Sequence, residues 1–243
     1  MQWSGEGIVL TSRRHGESSA IIAVFNRDHG RYSGLVRGGA GKNKRPSIEP
    51  GNFVQATWRA RLEEHLGTFD CELIEATAAT WLGDANRLGA MSAALSVAAT
   101  AMPEREPHPP VFDGLRIFMA SLAGDDWPSV YVKWELGVLS ELGFGLDIRC
   151  CAATGVTEEL IYVSPKSGRA VSADAGEPYH DRLLPLPAFL RESGRAGDAG
   201  EVLDGLRLTG YFLEEHVYGG HSNTLPDARS RFFQRFRKHA GGN

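Results

Sequence analysis

The N-terminal third of the chain alternates short strand-like segments with residues that favour turns. The strand-like segments cover residues 7–13, 19–26, 31–37, 52–61 and 66–76. Between some of them lie short turn sequences rich in glycine and other residues that tolerate turn geometry. These are Arg14-His15-Gly16, Asp28-His29-Gly30 and Pro50-Gly51-Asn52. Five short strands within eighty residues predict a small barrel.

After about residue 86 the sequence changes to alanine- and leucine-rich segments with helical spacing. A helix is predicted over residues 127–143, because Pro128 suits a first helical turn and Gly143 suits a C-cap. Apolar residues and glycine recur at spacings of three and four between residues 203 and 217, which predicts one buried helical stripe. A last helix is predicted over residues 226–239, with its phenylalanines inward and its arginines facing water.

These patterns predict an α+β chain of several domains. Residues 1–80 form the barrel, residues 81–149 and 188–243 form an all-helical domain, and residues 150–187 form an irregular insert. The insert contains two hairpin-like runs, at residues 160–163 and 169–171, and is similar to a small ribbon. No repeat of solenoid period is present in the sequence.

The bulk composition is typical of a globular cytoplasmic protein. With 243 residues, 42% of them hydrophobic, the chain is long enough for one large core or two to three small ones. The longest apolar-rich stretch, residues 89–102, is too short for a membrane span, and no signal-peptide n-region precedes it. Three cysteines cannot form a disulfide framework. We therefore expect a protein of the reducing cytoplasm that has no membrane partner.

The net charge of −4 hides two basic regions at the ends of the chain. Within residues 27–61, eight Lys and Arg side chains are opposed only by Asp28 and Glu49. A second cluster near the C-terminus contains Arg229, Arg231, Arg235, Arg237 and Lys238. Residues 38–46 are rich in glycine and cations, so we expect a mobile arm that follows a phosphate backbone without reading base sequence. An ordinary solvated loop is the alternative.

The aromatic residues of the predicted strands have two interpretations. Five-stranded oligonucleotide-binding (OB) folds hold single strands on one face and its flanking loops. On such a face, Phe25, Tyr32, Phe53 and Trp58 could stack on bases. Alternating aromatic residues in strands are more often part of the core.

Catalytic motifs are incomplete in this sequence. The run from Gly38 to Lys42 lacks the first glycine and the final Ser or Thr of a phosphate-binding loop, and Pro46 disfavours the helix that should follow. No Gly-x-Ser-x-Gly nucleophile elbow is present. We expect a protein without enzymatic activity or cofactor. The alternative is a metal-dependent nucleic-acid or nucleotide hydrolase that uses residues such as Asp181, His216 and His221.

A zinc site in the ribbon-like insert is also incomplete. Cys150 and Cys151 precede the hairpin, where structural zinc is often bound, but no second cysteine pair follows it. His180 alone cannot complete a tetrahedral ligand set. We therefore interpret the two cysteines as buried structural thiols and predict no metal.

Three N-terminal segments in order resemble the start of the RecO family. They are Gly5-Glu6-Gly7-Ile8-Val9-Leu10, Gly16-Glu17-Ser18-Ser19-Ala20-Ile21-Ile22 and His29-Gly30-Arg31-Tyr32-Ser33-Gly34-Leu35-Val36-Arg37-Gly38-Gly39. The similarity continues through Glu49-Pro50-Gly51, residues 139–146 and residues 212–238. It implies an N-terminal OB-fold barrel, followed by a helical domain with a zinc-ribbon-like insert. Many relatives carry four zinc-binding cysteines, whereas this chain keeps only the first half of that ligand set.

The resemblance also implies a function in DNA repair and recombination. RecO-like proteins bind single- and double-stranded DNA without sequence specificity and anneal complementary strands. They pair with the protein RecR and engage the acidic C-terminal tail of single-stranded-DNA-binding protein to help load the RecA recombinase, which places them near the nucleoid. The DNA-facing candidates are Arg37, Lys42, Lys44, Arg45, Arg59 and Arg61. The candidates for binding the partner tail are Arg229, Arg231, Arg235 and Arg237.

Overall fold

The computed structural model describes residues 1–62, 64–219 and 224–240. Its N-terminal part contains five strands and one short 3₁₀ helix. In chain order these are β1 (Gln2–His15), β2 (Ser19–Asn26), β3 (Gly30–Val36), the 3₁₀ helix (Arg45–Ile48), β4 (Phe53–Arg59) and β5 (Thr68–Glu75). All five predicted strands are present, and β1 starts five residues earlier than its predicted start at Gly7.

The five strands close into a barrel in the order β1-β2-β3-β5-β4. Strand β1 pairs antiparallel with β2 and β4, and antiparallel pairing also joins β2 to β3 and β4 to β5. The barrel closes where β3 and β5 run parallel, through the single pair Leu35 and Thr68. A five-stranded barrel that is nearly open along one seam is the OB-fold architecture, so the predicted fold class is confirmed.

The aromatic residues of these strands lie in apolar cores. Trp58 is 1% exposed, and its Nε1 donates to the carbonyl oxygens of Ser33 and Leu66 at 3.2 and 3.1 Å. Phe25, Tyr32 and Phe53 are also buried. Burial of a large aromatic side chain stabilises the fold by about 2–3 kcal/mol, so these rings are not available for stacking on bases. The core interpretation is therefore confirmed for all four.

A proline-rich segment covers the outer edge of β3. The Arg105 amide donates to the Arg31 carbonyl at 2.9 Å, and the Glu104 carboxylate accepts from Arg31 and Ser33 at 3.1 and 2.9 Å. The Arg105 guanidinium lies over the Tyr32 ring, 5.5 Å from its centroid. Arg31 thereby holds this segment against β3 and is not part of a free basic surface.

Helices dominate the chain after the barrel. They are α1 (Thr77–Thr80), α2 (Ala85–Ala101), α3 (Pro109–Ser121), α4 (Trp127–Glu141), α5 (Ala173–Gly176), α6 (Ala199–Phe212) and α7 (Asp227–Ala240). Helix α6 begins with a capping box formed by Asp198 and Glu201, and a π-helical segment (Leu213–Tyr218) follows it. The predicted stripe between residues 203 and 217 thus lies on an α-helix that changes to a π-helix.

The insert contains the predicted ribbon as a small sheet. Its strands are β6 (Leu160–Val163), β7 (Ala170–Ser172) and β8 (Leu184–Pro185), in the order β7-β6-β8. Leu160 and Val171 are buried in this sheet.

The described residues fall into two compact units. One comprises Met1–Asp113 and Pro226–Phe232, and the other comprises Gly114–Leu225 and the described residues from Phe233 onward. The domain boundaries near residues 80, 149 and 187 stay predictions. No helix in the described ranges is both long and apolar enough to cross a membrane.

Candidate nucleic-acid interface

Residues 38–46, which we call the basic turn, are folded into consecutive turns. The Gly39 amide donates to the Val36 carbonyl at 3.2 Å, and the Ala40 amide donates to the Ser18 carbonyl at 3.0 Å. The Arg45 amide donates to the Gly41 carbonyl at 3.0 Å and leads into the 3₁₀ helix. Hydrogen bonds thus connect this segment to the end of β3 and to the β1–β2 turn, and the mobility of the arm stays a prediction.

A polar groove lies at the β3–β5 seam, and we call it the seam groove. It has a volume of about 330 Å³. Three cations line it: Arg37 at the end of β3, Arg59 at the end of β4, and Lys44 from the basic turn. The hydroxyl-bearing residues Thr57 and Thr68 also line it, together with Phe69 and Asp70. The barrel fold thus brings together three of the six predicted DNA-facing residues.

The electrostatics of the seam groove favour an anion. Its one acidic lining residue is Asp70, whose carboxylate lies 3.3 Å from the Lys44 Nζ. Both side chains are largely exposed, and exposed ion pairs contribute only about 0–1 kcal/mol. Among the described residues, Arg37 and Arg59 form no ion pair. Phosphate oxygens can therefore be bound here without breaking a strong internal interaction.

A second polar groove borders the basic turn at Gly39, Ala40 and Arg45, and we call it the hairpin groove. It has a volume of about 250 Å³ and is lined by Arg14, Arg45 and Glu49 together with small residues. Arg14 donates to the carbonyl oxygens of Gly16 and Glu17 at 3.2 and 2.9 Å, so the β1–β2 turn orients its guanidinium. The Arg45 Nε lies 3.5 Å from the Glu49 carboxylate.

The remaining predicted DNA-facing residues are exposed but line neither groove. They are Lys42, in the basic turn, and Arg61, after β4. Conversely, Arg14 was not among the sequence candidates. Its position as the first residue of the first predicted turn was the signal, because OB folds bind ligands with the loop between strands 1 and 2.

The C-terminal basic cluster lies on α7. Arg231, Arg235 and Arg237 are exposed on this helix, as predicted. The Arg229 side chain is 2% exposed, so the prediction that the arginines of this helix face water is wrong for Arg229. Phe232 is buried and Phe233 and Phe236 are half-buried, in keeping with the predicted inward face.

Cys151 is held by hydrogen bonds at the base of the ribbon. It is buried, and its Sγ accepts from the Ser172 amide and hydroxyl at 3.4 and 3.5 Å. Burial by itself raises the pKa of this thiol, but hydrogen bonds from Ser172, Thr154 and Ala153 outweigh it and lower the pKa to about 6. Cys150 is only half-buried. Within the described ranges, no three His, Cys, Asp or Glu side chains are grouped to hold a metal ion.

We expect Cys151 to titrate near pH 6. Because folding lowers its pKa from 9.0 to about 6, this group adds stability above pH 9 that is lost as the pH falls through 6. Ultraviolet thiolate absorbance of the Cys150→Ser protein should therefore rise with a midpoint near pH 6. Ser172→Ala should move this midpoint upward, and Cys151→Ser should remove it. Cys71 will not interfere, since burial and the Asp70 charge raise its pKa to about 12. A midpoint above pH 8 in the Cys150→Ser protein would contradict a thiolate stabilised by these hydrogen bonds.

The described residues of the alternative hydrolase site have other contacts. Asp181 is an exposed carboxylate 3.0 Å from His180, and the His216 ring stacks on Phe144 with centroids 5.1 Å apart. His221 lies outside the described residues. Asp181 and His216 are therefore engaged with different neighbours, His180 and Phe144.

Comparison with known proteins agrees with the barrel and the helices that follow it. Residues 1–77 match the family described as Recombination protein O N terminal, and residues 82–225 match Recombination protein O C terminal. The chain belongs to the RecO family. The DNA repair protein RecO of Rhodospirillum centenum is 52% identical over 241 residues, which are 98% of this chain and 96% of the relative.

Two further RecO relatives are similar over nearly their whole length. The DNA repair protein RecO of Rhodospirillum rubrum is 47% identical over 245 residues, covering 98% of this chain and 97% of the relative. The protein of the same name from a Ruegeria species is 47% identical over 234 residues, which are 96% of this chain and 97% of the relative. The resemblance seen in the N-terminal RecO motifs is thus confirmed along the whole chain.

Proposed function

We propose that this RecO-family protein is a DNA repair and recombination mediator that acts by binding and not by covalent catalysis. It binds single- and double-stranded DNA without sequence specificity and promotes the annealing of complementary strands. The observation that carries this proposal is the seam groove, which Arg37, Lys44 and Arg59 line together on an OB-fold barrel.

The binding mechanism follows from the character of the groove. Its cations and threonine hydroxyls suit phosphate and sugar oxygens, and phosphate contacts carry no sequence information by themselves. The strand aromatics are buried in cores and do not offer open ring faces to bases. Binding therefore draws on counterion release from the phosphate backbone, and bound strands pair through their own base-pairing energy.

The proposal includes two protein partners. A RecR-like protein acts together with this chain in loading RecA onto DNA coated by single-stranded-DNA-binding protein, in the cytoplasm at the nucleoid. The acidic C-terminal tail of single-stranded-DNA-binding protein is bound by the exposed arginines of α7, namely Arg231, Arg235 and Arg237. Family membership and the basic surface of α7 support this assignment.

The salt dependence of DNA binding tests the seam groove. A plot of the logarithm of the binding constant against the logarithm of the salt concentration falls with a slope of about 0.7 per phosphate contact on single strands. We expect the double variant Arg37→Gln with Arg59→Gln to make this slope shallower by about 1.4, because it loses two contacts. At 0.1 M salt this corresponds to roughly 25-fold weaker binding. Fluorescence anisotropy of labelled single strands of unrelated sequence, titrated at several salt concentrations, measures both quantities.

The matched control removes the same charge outside the groove. Lys42→Gln with Arg61→Gln changes two exposed cations that line neither groove, and we expect it to weaken binding by at most about threefold. Equal losses in the two double variants would contradict the seam groove as the binding site. Failure of the parent protein to bind single strands at low salt would contradict the DNA-binding function itself.

A further inference from the structure

Two consecutive residues of the basic turn line different grooves. Lys44 lines the seam groove, whereas Arg45 lines the hairpin groove. Lys44 is the N-cap residue of the 3₁₀ helix, with a helical backbone conformation, and Arg45 is its first residue. Successive side chains in such a helix diverge by about 120°. The basic turn therefore separates two cationic grooves on the same barrel.

The hairpin groove has its own cations, contributed by separate parts of the fold. Arg14 comes from the end of β1, where it is held by the carbonyl oxygens of Gly16 and Glu17. Arg45 comes from the 3₁₀ helix and reaches the groove from the other wall. The two guanidinium groups are exposed on strands and turns tied by hydrogen bonds, so the groove is preformed.

The acidic residue of this groove does not block an anion. Glu49 pairs with Arg45 at 3.5 Å, and both side chains are exposed, at 46% and 72%. An exposed pair of this kind contributes little to stability and can be exchanged for a phosphate contact. Arg14 retains donors for a ligand, because a guanidinium has five N–H groups and the two hydrogen bonds to the turn use only two of them.

We propose that the hairpin groove binds the phosphate backbone of a second polynucleotide strand while the seam groove holds the first. Arg14 and Arg45 are its phosphate-binding residues. This inference rests on the proposed DNA-binding function and gives it a two-strand geometry on one protein chain. Two backbones on either side of one turn are held side by side, which is the arrangement that annealing requires. The cations of the two grooves also offset the repulsion between the backbones.

Simultaneous binding of two non-complementary strands tests the proposal directly. Two thymidine homopolymers, one carrying a donor dye and one an acceptor, cannot pair with each other. With protein limiting, the parent protein should give energy transfer, and mass photometry should show one protein chain with two strands. The double variant Arg14→Gln with Arg45→Gln should bind one strand within about threefold of the parent affinity but lose the energy transfer. Its annealing of complementary strands should slow by at least about tenfold.

The controls separate charge from local folding. Arg13→Gln with Lys42→Gln removes two neighbouring exposed cations that do not line the hairpin groove, and it should keep the energy transfer. Arg14→Lys with Arg45→Lys keeps the charges and should restore most of the signal even though the hydrogen bonds of Arg14 are altered.

Three results would overturn the two-strand geometry. In the first, the energy transfer survives in the hairpin-groove variant. In the second, the variant loses first-strand affinity as strongly as the Arg37 and Arg59 variant, which would indicate one continuous path. In the third, the complex contains two protein chains. Each of these results contradicts only the two-strand geometry. The proposed function would be overturned by a different result, namely that the parent protein does not bind a single strand.

Discussion

Replacing Gly67 with alanine will lower the free energy of unfolding by about 2–5 kcal/mol. Gly67 has a φ of +70°, and a Cβ atom there would lie 2.5 Å from Cε2 and Nε1 of Trp58. The left-handed conformation costs a non-glycine residue about 1–2 kcal/mol, and overpacking adds about 1–3 kcal/mol. Trp58 cannot easily move away, because its Nε1 donates to the carbonyl oxygens of Ser33 and Leu66.

Urea denaturation measures this loss, and Gly38 provides the matched control. Gly38 has a φ of +74°, but no atom lies within 4 Å of a Cβ built on it. Gly38→Ala should therefore cost only the conformational strain of about 1–2 kcal/mol. If the two variants lose similar amounts of unfolding free energy, the contact between the new Cβ atom and Trp58 must be relieved by movement of the surrounding residues. The β3–β5 seam would then be more deformable than its hydrogen bonds indicate.

The Gly67 variant should also weaken DNA binding, because Gly67 lies at the closure of the barrel. Its carbonyl accepts from the Leu35 amide at 3.1 Å, next to the single β3–β5 pair. Thr68 and Phe69, which follow it, line the seam groove. A shift of this backbone moves one wall of the groove away from Arg37.

The barrel could be predicted from the sequence because local signals agree with the tertiary structure. Strand β3 alternates buried and half-buried residues along its whole length, so that Tyr32 and Val36 fall on the core side. The turns at Gly16 and Gly30 have φ values of +63° and +80°, which glycine adopts readily. Each of these features acts over a few residues and is therefore visible in the sequence.

The candidate site was only partly predictable, because it depends on which surface each cation faces. Lys44 and Arg45 are equivalent in a charge count, yet they line different grooves. The hydrogen bond from Ala40 to Ser18, which fixes the basic turn, joins residues that are distant in sequence. The glycine-rich composition predicted a flexible arm, and nothing in the local sequence indicates the long-range hydrogen bond from Ala40 to Ser18.

Arg229 shows the same limit at the other end of the chain. Its charge resembles that of its neighbours in sequence, but the helical position of Arg229 places it on the buried side of α7, one turn before Phe232. Arg231 and Arg235 are four residues apart and lie above one another on an exposed face. Helical phase, and not the number of arginines, decides which of them can meet a partner.

Charge reversal on that exposed face should abolish binding of the acidic tail of single-stranded-DNA-binding protein. Arg231→Glu with Arg235→Glu removes two attractive contacts and introduces two repulsive ones, each worth about 0.5–1 kcal/mol at an exposed site. The sum of about 2–4 kcal/mol corresponds to a roughly 30- to 900-fold loss of affinity. Anisotropy of a labelled tail peptide, titrated with the full chain, measures this loss.

The control must carry the same net charge, because a long-range effect of charge alone would also weaken an acidic peptide. Arg13→Glu with Lys42→Glu makes the same change on the barrel, where both residues are exposed. We expect this variant to bind the tail peptide within about threefold of the parent protein, since exposed charges that make no direct contact with the peptide contribute little. If both variants lost the same affinity for the tail peptide, the interaction would depend on the net charge of the protein and not on the α7 surface. An unchanged affinity in the α7 variant would place the tail on another surface, and Arg237 with Lys238 would then need no role in partner binding.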